Sequence, residues 1–549
     1  MQHVVVIALA VSLAAFQDHQ HGAAGLGTVK FANSCAPDVQ PEFARGMALM
    51  HSFEFGSARD AFKAVLGKDP TCAIALWATG VSQWGNPFAV QTKPAAQMQA
   101  GRATLERAAA AGGRTARERD YIAAATLLFD RHDTVDQPTR ARAYRDAMAR
   151  LAATYPDDAE AATFYALAVA GAADPADKSY ADLRKAGAIL EPLWKTQPDH
   201  PGLAHYIIHS YDVPALAPLA VTAARRYAKI APAAPHALHM PSHTFTRLGY
   251  WQDSIDTNIL SAEAARKAGS IYEELHALDY QVYAYLQSGQ DAAAGKLVET
   301  AAEIGTRRNA NAVVGAAPPT AGMYALAAIP ARYALERGDW SAASRLAAQS
   351  SQVPYADAMT WFARAIGAAR LNVSAAASTK PEDVATAKAA VEELQKAIDR
   401  LTKDNEAYWA EQVTIQKIAG SAWIALAEGR HADALAAMRE AADREDKTEK
   451  AAVTPGSLAP ARELLGEMLL ELKRPKEALV EFQKTIVKEP NRFRALAGAA
   501  AAATRAGEAA TGRKHYEQLL TVAARADAPG RPELKAARDA TRRGSIQIK

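Results

Sequence analysis

The chain has 549 residues, 49% of them apolar, and 63 basic side chains against 60 acidic ones leave a net charge of +3. That balance, with no long run of one sign, excludes the basic footprint of a nucleic-acid binder, and no internal apolar run approaches the roughly 20 residues a membrane-spanning helix needs. Alanine-rich composition with few β-branched runs points to an all-α chain, long enough for several domains or one solenoid.

Residues 1–15 read as a signal peptide. Val4 to Ala15 is apolar and of signal length, with Ser12-Leu13-Ala14 or Leu13-Ala14-Ala15 as the cleavage site, although no Lys or Arg precedes Lys30. A periplasmic or secreted protein is expected, and residues 16–38 read as a linker. In an oxidising compartment the two cysteines, Cys35 and Cys72, are expected to pair as a disulfide, worth roughly 3–5 kcal/mol.

A 34-residue frame begins at Val39, with Gly46 at position 8, Ala58 at 20, Phe62 at 24 and Pro70 at 32. Counting from Ala459 gives Gly466, Ala478, Phe482 and Pro490 at the same places, and the frame recurs between these ends with insertions. Small residues at 8 and 20 let paired helices approach, large ones at 24 fill the seam, and Pro at 32 stops the second helix. Residues 371–404 break the rhythm with a Ser/Thr/Lys/Pro stretch and an amphipathic helix carrying Val391, Leu394, Ile398 and Leu401. They read as a joint between an N-terminal array at 39–370 and a C-terminal array at 405–525, followed by a polar tail at 526–549.

The frame resembles the tetratricopeptide repeat. That resemblance implies a right-handed superhelix, an α-solenoid, with a second short array near the C-terminus. HALHMPSH, RLGYW, HALDYQVYAYLQSG and AAIPARYALERGDW are similar to segments of a group of bacterial secreted repeat proteins, a likeness that implies a fold and not an activity.

Six of the fourteen histidines fall between His200 and His243. His205 and His209 are four apart, as are His239 and His243, so each pair shares a helix face. The interval between the pairs is 34 residues, one repeat. In such repeats the first helix lines the concave groove through positions 2, 5, 9, 12 and 13. His236 and His276 take position 2; His205, His239 and Asp279 take 5; His209, His243 and Tyr283 take 9. His51 stands at 13 of the first repeat, with Arg332 and Glu336 at 9 and 13 of a later one. Pro241 falls inside the helix of His239 and His243 and is expected to kink it.

Neutral imidazoles converging from rigid helices suit a transition metal such as zinc, copper or iron. The expected centre is His205, His209, His239 and His243, with His236, His276 and Asp279 as alternates or supports. One reading is therefore a metal-binding solenoid, for catalysis or small-molecule binding. The alternative is a metal-free scaffold taking a peptide or protein partner in a groove lined by His51, Tyr283, Arg332 and Glu336. Histidines paired one repeat apart favour the metal, since a scaffold does not need them.

Overall fold

Small residues set the helix spacing. A methyl group at Gly46 would lie 2.6 Å from the Phe62 ring, one at Gly80 2.7 Å from Leu105, and one at Gly466 2.9 Å from Phe482. Helix pairs therefore close on one another at the eighth position, and Phe62, Leu105 or Phe482 of the partner helix fills the space.

The computed structural model describes residues 25–307, 315–348, 350–374 and 380–546; the signal-peptide reading lies outside them. Among the described residues there are 26 α-helices, two short 3-10 turns and no strand. Successive helices pair and stack in chain order: Gln40–His51 on Phe55–Lys68 at one end, Ala461–Glu471 on Pro475–Lys488 and Phe493–Arg505 on Ala509–Val522 at the other. The chain is an all-α solenoid of the tetratricopeptide type, in which each unit buries its apolar face mainly against its neighbours.

One large core runs from Leu26 to Phe245, and a second from Tyr324 to Ala503. The amphipathic helix of the expected joint is Pro381–Lys403. It packs between Pro354–Ser374 and Ala407–Ala427 and gives Leu394 and Leu401 to the second core. Within the expected linker, Leu26, Val29 and Phe31 are buried, and Phe31 packs on Phe43, Trp77 and Tyr121. In the expected tail the helix Pro532–Ile546 buries Leu534 and Ala537. Cys35 and Cys72 form a disulfide, with their Cα atoms 5.0 Å apart.

Two features of the fold shape the histidine region. The helix Pro235–His239 ends at Met240, and a new one, Pro241–Leu248, starts beside it. Proline has no N–H to continue the ladder, yet Met240 keeps helical angles (φ −53°, ψ −35°), so His239 and His243 still share a face. Pro330, by contrast, sits inside an unbroken helix, Pro319–Glu336.

The second feature is closure. The segment 446–460 lies against the concave side: Tyr280 Oη is 3.2 Å from the Ala452 carbonyl and 3.1 Å from that of Thr454, and Arg332 donates to the Ser457 carbonyl at 3.1 Å. Arg492 reaches Glu336 at 2.5 Å and Tyr283 at 3.2 Å. The expected groove residues Tyr283, Arg332 and Glu336 are thus buried against the chain's own C-terminal array.

Candidate metal centre

His205 and His209 project from the helix Pro201–Ser210, His236 and His239 from Pro235–His239, His243 from Pro241–Leu248 and His276 from Ile271–Gln287. All six are buried. They form two triads, His205–His209–His236 and His239–His243–His276, and within each triad one ligand atom per ring lies within 4.8 Å of the others. The grouping differs from the expected four-histidine centre. The 34-residue register does bring the two pairs side by side, but each pair takes its own third ring, so His236 and His276 are full members.

Asp279 is not a member; its Oδ1 accepts from Arg332 Nε at 2.9 Å. His51 stands apart too, in a third group with Glu160 and His200. Hydrogen bonding separates this group from the triads. Tyr206 Oη meets His51 Nδ1 at 2.9 Å, and the Leu203 N–H donates to His200 Nδ1 at 3.3 Å. Each ring therefore carries its proton on Nε2 and donates it to Glu160, at 3.0 and 2.8 Å. Every donor and acceptor is matched. This is a closed clasp around a carboxylate, whose pKa its two imidazole neighbours hold far below the usual range against the cost of burial.

The triads show the opposite pattern. His205 Nδ1 lies 2.6 Å from the His51 carbonyl oxygen, which can only accept, so the proton is on Nδ1 and Nε2 presents a lone pair. His239 Nδ1 lies 2.7 Å from Asn258 Oδ1; the Asn258 amide nitrogen donates to the Ser254 carbonyl, which fixes that oxygen as an acceptor. His243 Nδ1 donates to Asp212 Oδ2 at 2.8 Å. Two Nε2 lone pairs, of His239 and His243, consequently face each other 3.1 Å apart, with the Tyr280 hydroxyl 3.4 Å from that of His243.

Bare lone pairs repel at that distance. Two imidazole nitrogens about 2.0–2.1 Å from one tetrahedral ion would be roughly 3.3 Å apart, close to the spacing found. Fixing the outer N–H on a carbonyl, amide or carboxylate is also how metal-bound histidines are oriented. His205 Nε2, His209 Nε2, both ring nitrogens of His236 and His276 Nδ1 find no hydrogen-bond partner among the described residues. Leaving such groups buried and unmatched costs about 1–3 kcal/mol each. Burial holds His205 and His276 down to about 3 and His209, His236 and His239 well below their ordinary value, in keeping with the neutral rings that the hydrogen bonds define.

Each triad has its own aromatic wall. The Phe53 ring lies 4.3, 5.6 and 5.8 Å from His205, His209 and His236, and Tyr280 lies 4.6, 5.2 and 5.3 Å from His239, His243 and His276. Asp212 is itself held by Arg247 at 2.9 Å and Lys450 at 3.1 Å; burial pushes the Lys450 ammonium down to about 8. A cavity of about 60 Å³ reaches His209, His236, His243 and His276 between Phe88, Pro318 and Val453. A larger one of about 150 Å³ touches His209 beside Asp212 and Lys450.

Asp212, Asn258, Phe53 and Lys450 were not picked out from the sequence. Asp212 stands at position 12 of the repeat from Pro201, one of the groove positions. Asn258 stands at position 24 of its repeat, where Phe62 and Phe482 stand in theirs. A polar residue in an aromatic slot was a legible signal.

No protein-family model and no curated protein matches the chain. Among solved structures it is similar to the human IFIT1 dimer with m7Gppp-AAAA, at TM-score 0.34 and 10% identity over 89% of this chain and 96% of that one. The human IFIT1 dimer with PPP-AAAA gives 0.38 at 10% identity over the same shares. The APC/C hetero-tetramer Cut9–Hcn1 gives 0.34 at 11% identity, over 92% and 89%. Likenesses this distant carry no functional reading, and the histidine cluster stands on its own geometry.

Proposed function

We propose that this chain is a metal-binding α-solenoid whose six-histidine cluster holds a transition metal and presents it, through a narrow opening, to a small molecule. The observation that carries the reading is the pair of Nε2 lone pairs 3.1 Å apart, each locked inward by its own Nδ1–H partner. Neutral nitrogen donors suit zinc, copper or iron, and among divalent ions the intrinsic order of affinity favours copper. The segment 446–460 supports this reading over a peptide-binding scaffold, since it fills the concave side where a peptide would lie.

Elemental analysis of untagged protein tests it. The native protein should carry a transition metal, and His239→Ala or His243→Ala should lower the metal content. Both should also remove a metal-dependent stabilisation of about 2.7 kcal/mol at a hundredfold excess over the dissociation constant. His431→Ala, on an exposed helix start, should change neither. If the two site variants hold metal as the parent does, the reading fails.

The setting we propose is periplasmic or extracellular, on the strength of the N-terminal apolar run and the disulfide. Intact mass of protein from its own host should lack about 14–15 N-terminal residues and show no alkylatable thiol. A full-length product with two free thiols would exclude export.

A further inference from the structure

We propose that the two triads hold two copper ions side by side and bind dioxygen between them. This rests on the metal reading above and goes beyond it in nuclearity, metal and ligand.

Nuclearity follows from spacing. Across the join between triads, ring centres are 5.8 Å apart for His209 and His243 and 6.0 Å for His236 and His239. Within the first triad His209 and His236 are 6.4 Å apart. The join is narrower than the widest spacing within the first triad, though wider than the 4.4–5.1 Å of the others, so two ions, each on three imidazoles, would be separate neighbours in one chamber. Duplication extends to the surroundings: each triad has a histidine pair four residues apart on one helical face, a third histidine from the first helix of the following repeat, and one aromatic ring packed against all three members. The opening is lined by two histidines of each triad, His209 and His236 from one and His243 and His276 from the other. A ligand entering there meets both ions.

Charge selects the metal. The donors are neutral imidazoles, and Asp212, the carboxylate bonded to a ring of the cluster, is already paired with Arg247 and Lys450. Two divalent ions would place four positive charges in a buried chamber whose one ring-bonded carboxylate is already neutralised, at heavy desolvation cost. Two Cu(I) ions bring half that charge, and three neutral nitrogens are a complete set for Cu(I). Size and polarity select the ligand. About 60 Å³ walled by Phe88, Pro318, Tyr355 and Val453 admits a few waters or a diatomic gas and excludes a peptide.

The step balances without another reactant. Each Cu(I) gives one electron to dioxygen; the O=O bond becomes an O–O single bond, and the bridging ligand is peroxide with a charge of −2. The copper ions become Cu(II), so the total charge of the centre stays at +2, no proton is taken up, and release of dioxygen restores the starting state.

The experiment is anaerobic Cu(I) titration of the full untagged chain after chelator stripping, followed by admission of dioxygen. Two copper ions per chain are expected. Dioxygen should produce an intense near-ultraviolet band that disappears on degassing, with no electron paramagnetic resonance signal because the two Cu(II) spins couple. His236→Ala and His276→Ala, one per triad, should each hold one copper, lose the band, and give the signal of isolated Cu(II) on oxidation. One copper per parent chain, two coppers with no dioxygen band, or a native protein carrying two zinc ions would overturn the inference while leaving the metal reading intact. A stripped, folded parent that binds no metal overturns both, and this arm needs no variant to fold.

Discussion

At the scale of single residues, one acceptor decides which ring nitrogen of His243 faces the site. Asp212 takes the Nδ1 proton and is held for that task by Arg247 and Lys450. Asp212→Asn removes the charge that orients His243 and leaves two buried cations short of a partner. Metal affinity should fall about 10–100-fold, measured by chelator competition, and unchanged affinity would mean that His243 is oriented by packing alone. Glu160→Gln is the contrasting case. It disrupts the closed clasp of His51 and His200 and should cost about 1–3 kcal/mol with metal stoichiometry unaltered.

A second pair of buried carboxyls makes a pH prediction. Glu54 and Glu273 both lie against Gly315, where a β-carbon would come within 3.1 and 2.8 Å of them. Burial, and for Glu54 the neighbouring Glu273, raises them to about 8 and about 7. The folded state therefore keeps protons that the unfolded chain releases near 4.5. Stability from this pair is complete below that value and is lost as pH rises through the folded values. Metal-free protein should lose melting temperature between about pH 5 and 8, and Glu54→Gln should flatten that slope, because the neutral amide oxygen still accepts from the His236 N–H and carries no charge to bury at any pH. An equal slope in the variant would exclude the pair as its source.

At the scale of elements, the turn between the paired helices of a repeat explains how the first aromatic wall is placed. Position 15 is left-handed in most of the repeats: Gly249, Gly289, Gly338, Gly429 and Gly507 occupy it at φ between +65° and +85°, and Lys473 at +58°. In the first repeat the slot belongs to Phe53, at φ +58°. An aromatic residue there carries roughly 1–2 kcal/mol of backbone strain, accepted at the one turn whose ring touches three histidines. Phe53→Ala should destabilise by about 3–5 kcal/mol, and Phe53→Gly should be the milder of the two by about 1 kcal/mol, reversing the usual penalty for glycine. Both should weaken metal binding. Denaturant unfolding in which the glycine variant is the weaker would refute the strain account.

The same turn marks how far the sequence could be read. The 34-residue register, the small residues at position 8 and the histidine pairs were legible because each is periodic, and periodicity is what helix stacking imposes. The division into two triads was not. It depends on how neighbouring helices are turned against one another and on the break at Met240, neither of which leaves a repeat in the sequence. Asp212 and Asn258 were visible as polar residues at structural positions but could not be assigned to His243 and His239 without knowing which turns face each other. Segment 446–460 has no period at all, and its role comes from where the curvature of the solenoid carries it.

At the scale of the whole molecule, a buried charge network lies at the seam between the two arrays, beside the second core that crosses it. Arg492 is fully buried between Glu336 of the N-terminal array, at 2.5 Å, and Glu463 of the C-terminal one, at 2.8 Å, with Glu489 at 3.3 Å. Next to it Arg332 joins Asp279 to the Thr454 hydroxyl and the Ser457 carbonyl, and so ties segment 446–460 to the helix that carries His276. Arg492→Met keeps the stem but leaves Glu336 and Glu463 facing each other without a cation. Breaking one partner of a buried pair costs about 3–5 kcal/mol, and the loss falls on the seam between the arrays. Segment 446–460 supplies Lys450 to Asp212 and Val453 to the wall of the opening, so a loosened seam should expose the histidines. The variant should surrender its metal to a chelator several-fold faster than the parent, although Arg492 touches no histidine. An unchanged release rate in a measurably destabilised variant would show that the centre sits in the N-terminal array alone and that closure does not protect it.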